Sequence, residues 1–447
     1  MVKRLVSVAA LAAAASALSA CSGTGSAPPL PSVAANGILE TLVGTGAGKV
    51  EHVVYIVQEN RSFDDLFQGY PGADTVSSGK SSYGTIKLQP ISLSTPYEID
   101  HSADSMFIAC DGTGKLPGTH CKMDTFNREH LYGGPEHGQY GYVPHDESKP
   151  YFDMAHEWVL ADRMFASQLD ESFVAHQYVI AAQAHSSANV PDSYWGCPGG
   201  PANSVPTLTH ERTFGDSQRP CFDYETLGDE LDGAGLEWRF YTSEYTKPFS
   251  GLWSGYQAVR HIFRGPDWKK DVLIPQKRFL TDVAAGKLAS FTWITPTCPD
   301  SDHLSCGGGF GPSWVASVVN AVGESKFWKN TVIFVQWDDW GGMYDHVPPP
   351  YKGFDSLGFR VPLLVISPYA KKNYVSHTQY ETASVLRFAE DLFGLRQLAA
   401  ADARATSPAA DCLDFNQKPR KFVPIKAPKA PAFFLTQPAD ERIPDEQ

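Results

Sequence analysis

Two pairs of oxygen-bearing residues stand just behind apolar runs. Glu59-Asn60 follows His52–Val57 and Gln58, and Asp338-Asp339 follows Thr331–Val335, Gln336 and Trp337. Oxygen is the donor that a hard divalent cation prefers. A single Asp or Asn after a strand is common turn chemistry. Two such pairs, each abutting an apolar strand, argue for more, because adjacent carboxylates repel unless a cation joins them. Glu59, Asn60, Asp338 and Asp339 are therefore read as the ligands of one divalent metal cation of unknown identity.

A nucleophile should lie near that cation. Ser172 sits at or just before the start of Phe173–Ala184, a stretch of helical composition. Helix capping is the simpler account of a serine there. Chemistry would need the same position. Free backbone N–H groups at a helix start stabilise phosphate and lower the pKa of a nearby hydroxyl, and a metal favours the alkoxide. No GxSxG motif occurs, which argues against an ordinary Ser-His-Asp esterase. Among the 14 histidines, His101 and His303 lead. Either would bind phosphate oxygens when protonated or protonate a leaving oxygen. His346 follows the Asp pair by a Gly341-Gly342 turn that would fold it back towards the site, and His261 is a weaker candidate. Arg61 and Asp64 are expected to brace the metal loop.

These residues need a scaffold. His52–Val57, Phe291–Ile294, Thr331–Val335 and Val361–Ile366 are continuous apolar runs of strand length, as in strands buried on both faces. Ser313–Val322 and Glu381–Phe393 carry helical patterns. Alternation of strand and helix predicts an α/β fold with a mostly parallel central sheet flanked by helices. Such sheets bind ligands beyond the carboxyl ends of their strands. Phe291–Ile294 also leads there, into Thr295-Pro296-Thr297-Cys298-Pro299-Asp300-Ser301-Asp302-His303. The Gly-, Pro- and aromatic-rich stretches at about 70–150 and 185–270 read as long insertions walling a site. Residues 49–412 form the expected domain, and the Pro- and Lys-rich tail 413–447 should wrap its surface.

Residues 1–20 have the layout of an export signal: Lys3-Arg4, a small apolar run from Leu5 to Ala17, and Leu18-Ser19-Ala20-Cys21. The last four resemble the lipobox of bacterial lipoproteins, in which Cys21 would be lipidated. Residues 21–48 read as a flexible tether. The expected location is the periplasm, a lipid-anchored site on the membrane, or the exterior. A net charge of −13 excludes nucleic acid as a natural partner. Export favours disulfides, and Cys110–Cys121, Cys197–Cys221 and Cys298–Cys306 are the local pairs that suggest themselves, leaving Cys412 over. No Cys/His array marks a structural zinc site.

Three segments carry a family resemblance: Glu59-Asn60-Arg61-Ser62-Phe63-Asp64, Trp337-Asp338-Asp339-Trp340-Gly341-Gly342 and Asp345-His346-Val347-Pro348-Pro349. Together they resemble the bacterial phosphoesterase family of phosphatidylcholine-type phospholipases C and respiratory-burst-inhibiting acid phosphatases, from about residue 50 to 396. The resemblance implies an alkaline-phosphatase-like fold and a metal held by Glu59, Asn60, Asp338 and Asp339. It places Ser172 as nucleophile, His101 and His303 on phosphate, and His261 as a third such histidine. Asp338-Asp339, where many phospholipases have Asp-Glu, and Ser172 with His176-Gln177-Tyr178 tilt the reading to the acid-phosphatase side. The substrate would be a phosphorylated small molecule or a phospholipid headgroup. A phospholipase C is the first alternative and a non-catalytic lipoprotein binding module the second.

Overall fold

The computed structural model describes residues 44–244, 253–440 and 442. The expected export signal, Cys21 and most of the tether lie outside the described residues. No helix among the described residues is long and apolar enough to cross a membrane.

The central sheet has eight strands: β1 (His52–Gln58), β2 (Val159–Ala161), β3 (Trp238–Thr242), β4 (Ile274–Pro275), β5 (Phe291–Ile294), β6 (Thr331–Trp337), β7 (Leu363–Ile366) and β8 (Tyr374–Ser376). Their order is β4-β3-β5-β1-β6-β7-β2-β8. β7 runs antiparallel to both neighbours, and every other pairing is parallel. The helices that matter for the site are α1 (Phe63–Phe67), α2 (Lys149–Glu157), α3 (Ser172–Ala181), α4 (Gly311–Gly323), α5 (Ala383–Phe393) and α6 (Pro431–Thr436).

Both faces of the sheet are covered, which is why the strands read as unbroken apolar runs. On one face Tyr55 lies opposite Trp293 and Phe334. There the Trp293 indole donates to the Val179 carbonyl of α3 (3.1 Å), and Phe334 meets Phe388 of α5 with ring centroids 5.1 Å apart. On the other face Trp337 meets Tyr151 of α2 at 4.9 Å. Helix α4 packs against α2, and Phe434 of α6 lies 5.3 Å from Trp314 of α4.

Three expectations change. Trp238–Thr242 lies inside the stretch expected to be an insertion, yet it forms β3 of the central sheet. The run Val361–Ile366 gives a strand, but one that runs against the rest. The tail does more than wrap the surface, because Phe415, Ile425 and Phe434 are buried in the main core. The 70–150 insertion folds into short two-stranded sheets, such as Ser78–Ser81 with Gly84–Lys87, the α-helix Ala103–Cys110 and short 3-10 turns at Phe126–Arg128 and Gly138–Tyr140. Disulfides join Cys110–Cys121, Cys197–Cys221 and Cys298–Cys306, and Cys412 is a buried free thiol.

Candidate active site

Strands β1 and β6 are neighbours and end level, with Gln58 opposite Trp337. Glu59-Asn60 and Asp338-Asp339 therefore emerge side by side at the carboxyl edge of the sheet. Asn60 N–H donates to Asp338 Oδ1 at 3.2 Å, which ties the two loops together. Asn60 is held at φ +49, a left-handed conformation that Asn tolerates better than most residues. That strain costs about 1–2 kcal/mol. The five buried residues Val53–Val57 just behind it, at roughly 2 kcal/mol each, outweigh it several-fold. After the Asp pair the chain turns through Gly341 at φ +59 and Gly342 at φ +73. A Cβ on Gly341 would sit 2.5 Å from the Asn60 carbonyl oxygen, so the close approach of the loops requires glycine there. The Gly341 N–H donates to Asp339 Oδ1 at 2.8 Å and fixes that carboxylate.

Helix α3 brings Ser172 to the same point as its first residue, with Glu171 as cap. Ser172 Oγ lies 3.2 Å from Asp339 Oδ2, 3.3 Å from Glu59 Oε2 and 3.5 Å from Asn60 Oδ1. Asn60 Nδ2 lies within 3.2 Å of His101 Nε2, Ser172 Oγ and both carboxylate oxygens of Asp339. Glu59, Asn60, His101, Ser172, His303, Asp338 and Asp339 are all buried. Asp338 Oδ2 is buried without a hydrogen-bond partner. Several carboxylates sharing one interior site repel, and burying each costs several kcal/mol unless a cation compensates them. This oxygen-rich donor set is compatible with a metal cofactor.

The two leading histidines face each other, their rings 6.4 Å apart. His101 Nδ1 donates to the Ile99 carbonyl at 2.8 Å, so its neutral ring accepts at Nε2, where Asn60 Nδ2 stands at 3.0 Å. His303 has the opposite tautomer. Its Nδ1 accepts from the Ser305 N–H at 3.3 Å, which leaves the neutral ring's proton on Nε2. Glu98 reaches both rings, with an oxygen 3.8 Å from each Nδ1. Trp253 stacks on His303 with centroids 5.7 Å apart.

His261 is not part of this cluster. Its Nδ1 meets Asp223 at 2.9 Å and its Nε2 meets Asp229 at 3.0 Å, on a partly exposed helix. Both ring nitrogens are occupied by carboxylates, so the ring is not offered to a phosphate. His346 does turn back, as the glycine turn suggested, and stands in the layer behind Glu59, Asn60, Asp338 and Asp339. Its Nδ1 meets Asp64 Oδ2 at 2.6 Å and its Nε2 meets Asp74 at 3.0 Å. Asp64 and Asp345 share Arg360, which is buried, pairs with Asp345 at 3.0 Å and lies over the Phe63 ring of α1. Burial pushes the Asp345 carboxyl up to about 6 despite Arg360. Burial opposes the charge on His346, but the Asp64 and Asp345 carboxylates prevail and raise its pKa. On the other side of α1, Arg61 donates to Asp65 and to the Asp302 carbonyl, two residues whose carboxyls burial pushes up to about 6.

One residue of the site was not foreseen. His176 Nε2 lies 2.8 Å from Glu59 Oε1 and 3.6 Å from Asp338 Oδ2. The signal was available: His176 stands four residues after Ser172, and on a helix that spacing puts both side chains on one face.

The profile of the Phosphoesterase family matches residues 50–396, most of the chain. The chain belongs to that family. As a phosphoesterase it is a phosphoric ester hydrolase. It is 25% identical over 404 residues to non-specific phospholipase C1 of Arabidopsis thaliana, covering 78% of this chain and 68% of that one. It is 25% identical over 405 residues to hemolytic phospholipase C of Pseudomonas aeruginosa, covering 77% of this chain and about half, 53%, of the relative. Among solved structures it is similar to a protein in the alkaline phosphatase superfamily from Vibrio parahaemolyticus, with 10% identity, 81% and 72% coverage and a TM-score of 0.38.

Proposed function

We propose that this phosphoesterase cleaves phosphate esters through Ser172, in the manner of an acid phosphatase, with one divalent cation held by Glu59, Asn60, Asp338 and Asp339. The observation that carries the reading is Ser172 Oγ, buried at the start of α3 within 3.5 Å of Glu59, Asn60 and Asp339. The cation, when bound, supplies positive charge for the phosphoryl oxygens and favours the serine alkoxide. Ser172 Oγ gives up its proton to a neighbouring carboxylate and attacks phosphorus. The bond from phosphorus to the alcohol oxygen breaks, and that oxygen takes the Nε2 proton of His303 in its imidazolium form, whose Nδ1 proton faces Ser305 Oγ at 2.9 Å, leaving the neutral ring. His101, once protonated at Nε2, and the free N–H groups at the start of α3 hold the phosphoryl oxygens. Water then attacks the phosphoserine, its proton passes to Nε2 of the neutral His303 and restores the imidazolium, and the bond from phosphorus to Ser172 Oγ breaks as that oxygen takes its proton back from the carboxylate.

Two observations favour a second reading, a phospholipase C acting on phosphatidylcholine-type diesters. Relatives carry that name, and the Trp253 ring lies against His303, where the choline cation that stays on the phosphate would find an aromatic face while the glycerol oxygen leaves. Hydrolysis of a phosphomonoester and of phosphatidylcholine, each with and without chelator, separates the readings. The acid-phosphatase reading predicts faster monoester turnover, lost on chelation. Diester turnover alone would favour the phospholipase, and ligand uptake without turnover the binding module. We also propose that residues 1–20 direct export and that Cys21 carries a lipid; acyl labelling lost in Cys21→Ser would support the second point.

A further inference from the structure

His176 is fully buried on the face of α3 that carries Ser172. One donor atom from each of Glu59, His176 and Asp338 lies within 4.8 Å of the others. That is close to the roughly 4 Å span of donors sharing one ion at bond lengths of about 2 Å. If His176 were only a hydrogen-bond partner of Glu59, the buried Asp338 Oδ2 would keep no hydrogen bond, for the Nε2 facing it stands 3.6 Å away. A cation among the three partners all of them.

We propose that His176 Nε2 is a nitrogen ligand of the cation, beside oxygens of Glu59 and Asp338. The proposal rests on the cation site described above and deepens it. An imidazole in the set changes the selectivity of the site. Oxygen-only sites suit Mg²⁺ and Ca²⁺, whereas mixed nitrogen and oxygen sites favour Zn²⁺ and its first-row neighbours. The site should therefore be selective for a borderline transition metal.

The test is calorimetric titration of the metal-stripped full chain with ZnCl₂ and, separately, MgCl₂, in wild type and His176→Gln. Wild type should bind Zn²⁺ at least about 100-fold more tightly than Mg²⁺. His176→Gln should lose about tenfold or more in Zn²⁺ affinity while Mg²⁺ affinity shifts less than about threefold. A parallel fall for both ions would overturn the proposal, because it would mean that His176 only orients Glu59. No change for either ion would overturn it too. If wild type binds neither ion, the cation site itself fails. Should His176→Gln not fold, the Cu²⁺-loaded wild type and His101→Gln still decide. Both should show directly bound nitrogen in the electron paramagnetic resonance spectrum. Absence of that coupling in wild type, or its loss in His101→Gln, would refute His176 as the ligand.

Discussion

The turn after the Asp pair offers a graded test of how the loops hold each other. In Gly341→Ala the new Cβ would meet the Asn60 carbonyl oxygen at 2.5 Å and the Asn60 Cβ at 2.8 Å, with φ at +59. The left-handed backbone costs a non-glycine residue about 1–2 kcal/mol. The steric overlap adds about 1–3 kcal/mol, since neither neighbour is the loose end of a side chain. Gly394→Ala is the internal control. Gly394 also has positive φ, at +70, but nothing lies within 4 Å of its would-be Cβ. It should lose only the backbone part. Denaturant midpoints should thus show Gly341→Ala about 1–3 kcal/mol worse than Gly394→Ala. Because the displaced residue is Asn60, metal affinity by titration should fall about tenfold in the first variant and stay unchanged in the second. Equal losses in stability, with wild-type metal binding in both, would refute the idea that Gly341 sets the approach of the Glu59-Asn60 and Asp338-Asp339 loops.

Two further outcomes follow from the layer behind Glu59, Asn60, Asp338 and Asp339. Arg360→Met strips the cation from the buried Asp64 and Asp345 and should cost about 3–5 kcal/mol in denaturant unfolding; a loss under about 1 kcal/mol would show that the cluster is not held by that ion pair. Asp302 has its carboxyl raised by burial from 3.8 to about 6, while Tyr151 and Trp337 donate to it. A raised folded-state pKa means that stability is fully present below the unfolded value and is lost as pH rises through the folded one. Wild type should therefore lose about 2–3 kcal/mol between pH 4 and pH 6.5 that Asp302→Asn does not. Parallel stability–pH curves for the two proteins would contradict this.

The convergence of the candidate site was legible because Glu59-Asn60 and Asp338-Asp339 interrupt unmistakable patterns. Apolar runs fix where β1 and β6 end, and the two oxygen-bearing pairs stand at those ends. Helices α4 and α5 were legible from periodicity, and Ser172 from the helix it begins. Strand direction was not, because Val361–Ile366 reads the same whichever way it runs. β2, β4 and β8 are two or three residues long, too short for a pattern to show, and β3 hides in an aromatic stretch that resembles a loop. His261 misled because a histidine's partners, here Asp223 and Asp229, lie more than 30 residues away in sequence. His176 is marked by the helical face it shares with Ser172 and not by a strand end. The tail's Pro and Lys content concealed Phe415, Ile425 and Phe434, whose burial depends on tertiary contacts.

The central claim is that Ser172 attacks phosphorus. Wild type and Ser172→Ala should be mixed with a phosphomonoester and divalent cation, quenched in acid, digested and mapped by mass spectrometry. Wild type should carry one phosphoryl group on the peptide containing Ser172, and Ser172→Ala should carry none and turn over at least about a thousandfold more slowly. Near-normal turnover by Ser172→Ala, or a phosphoryl group trapped on another residue, would contradict the account.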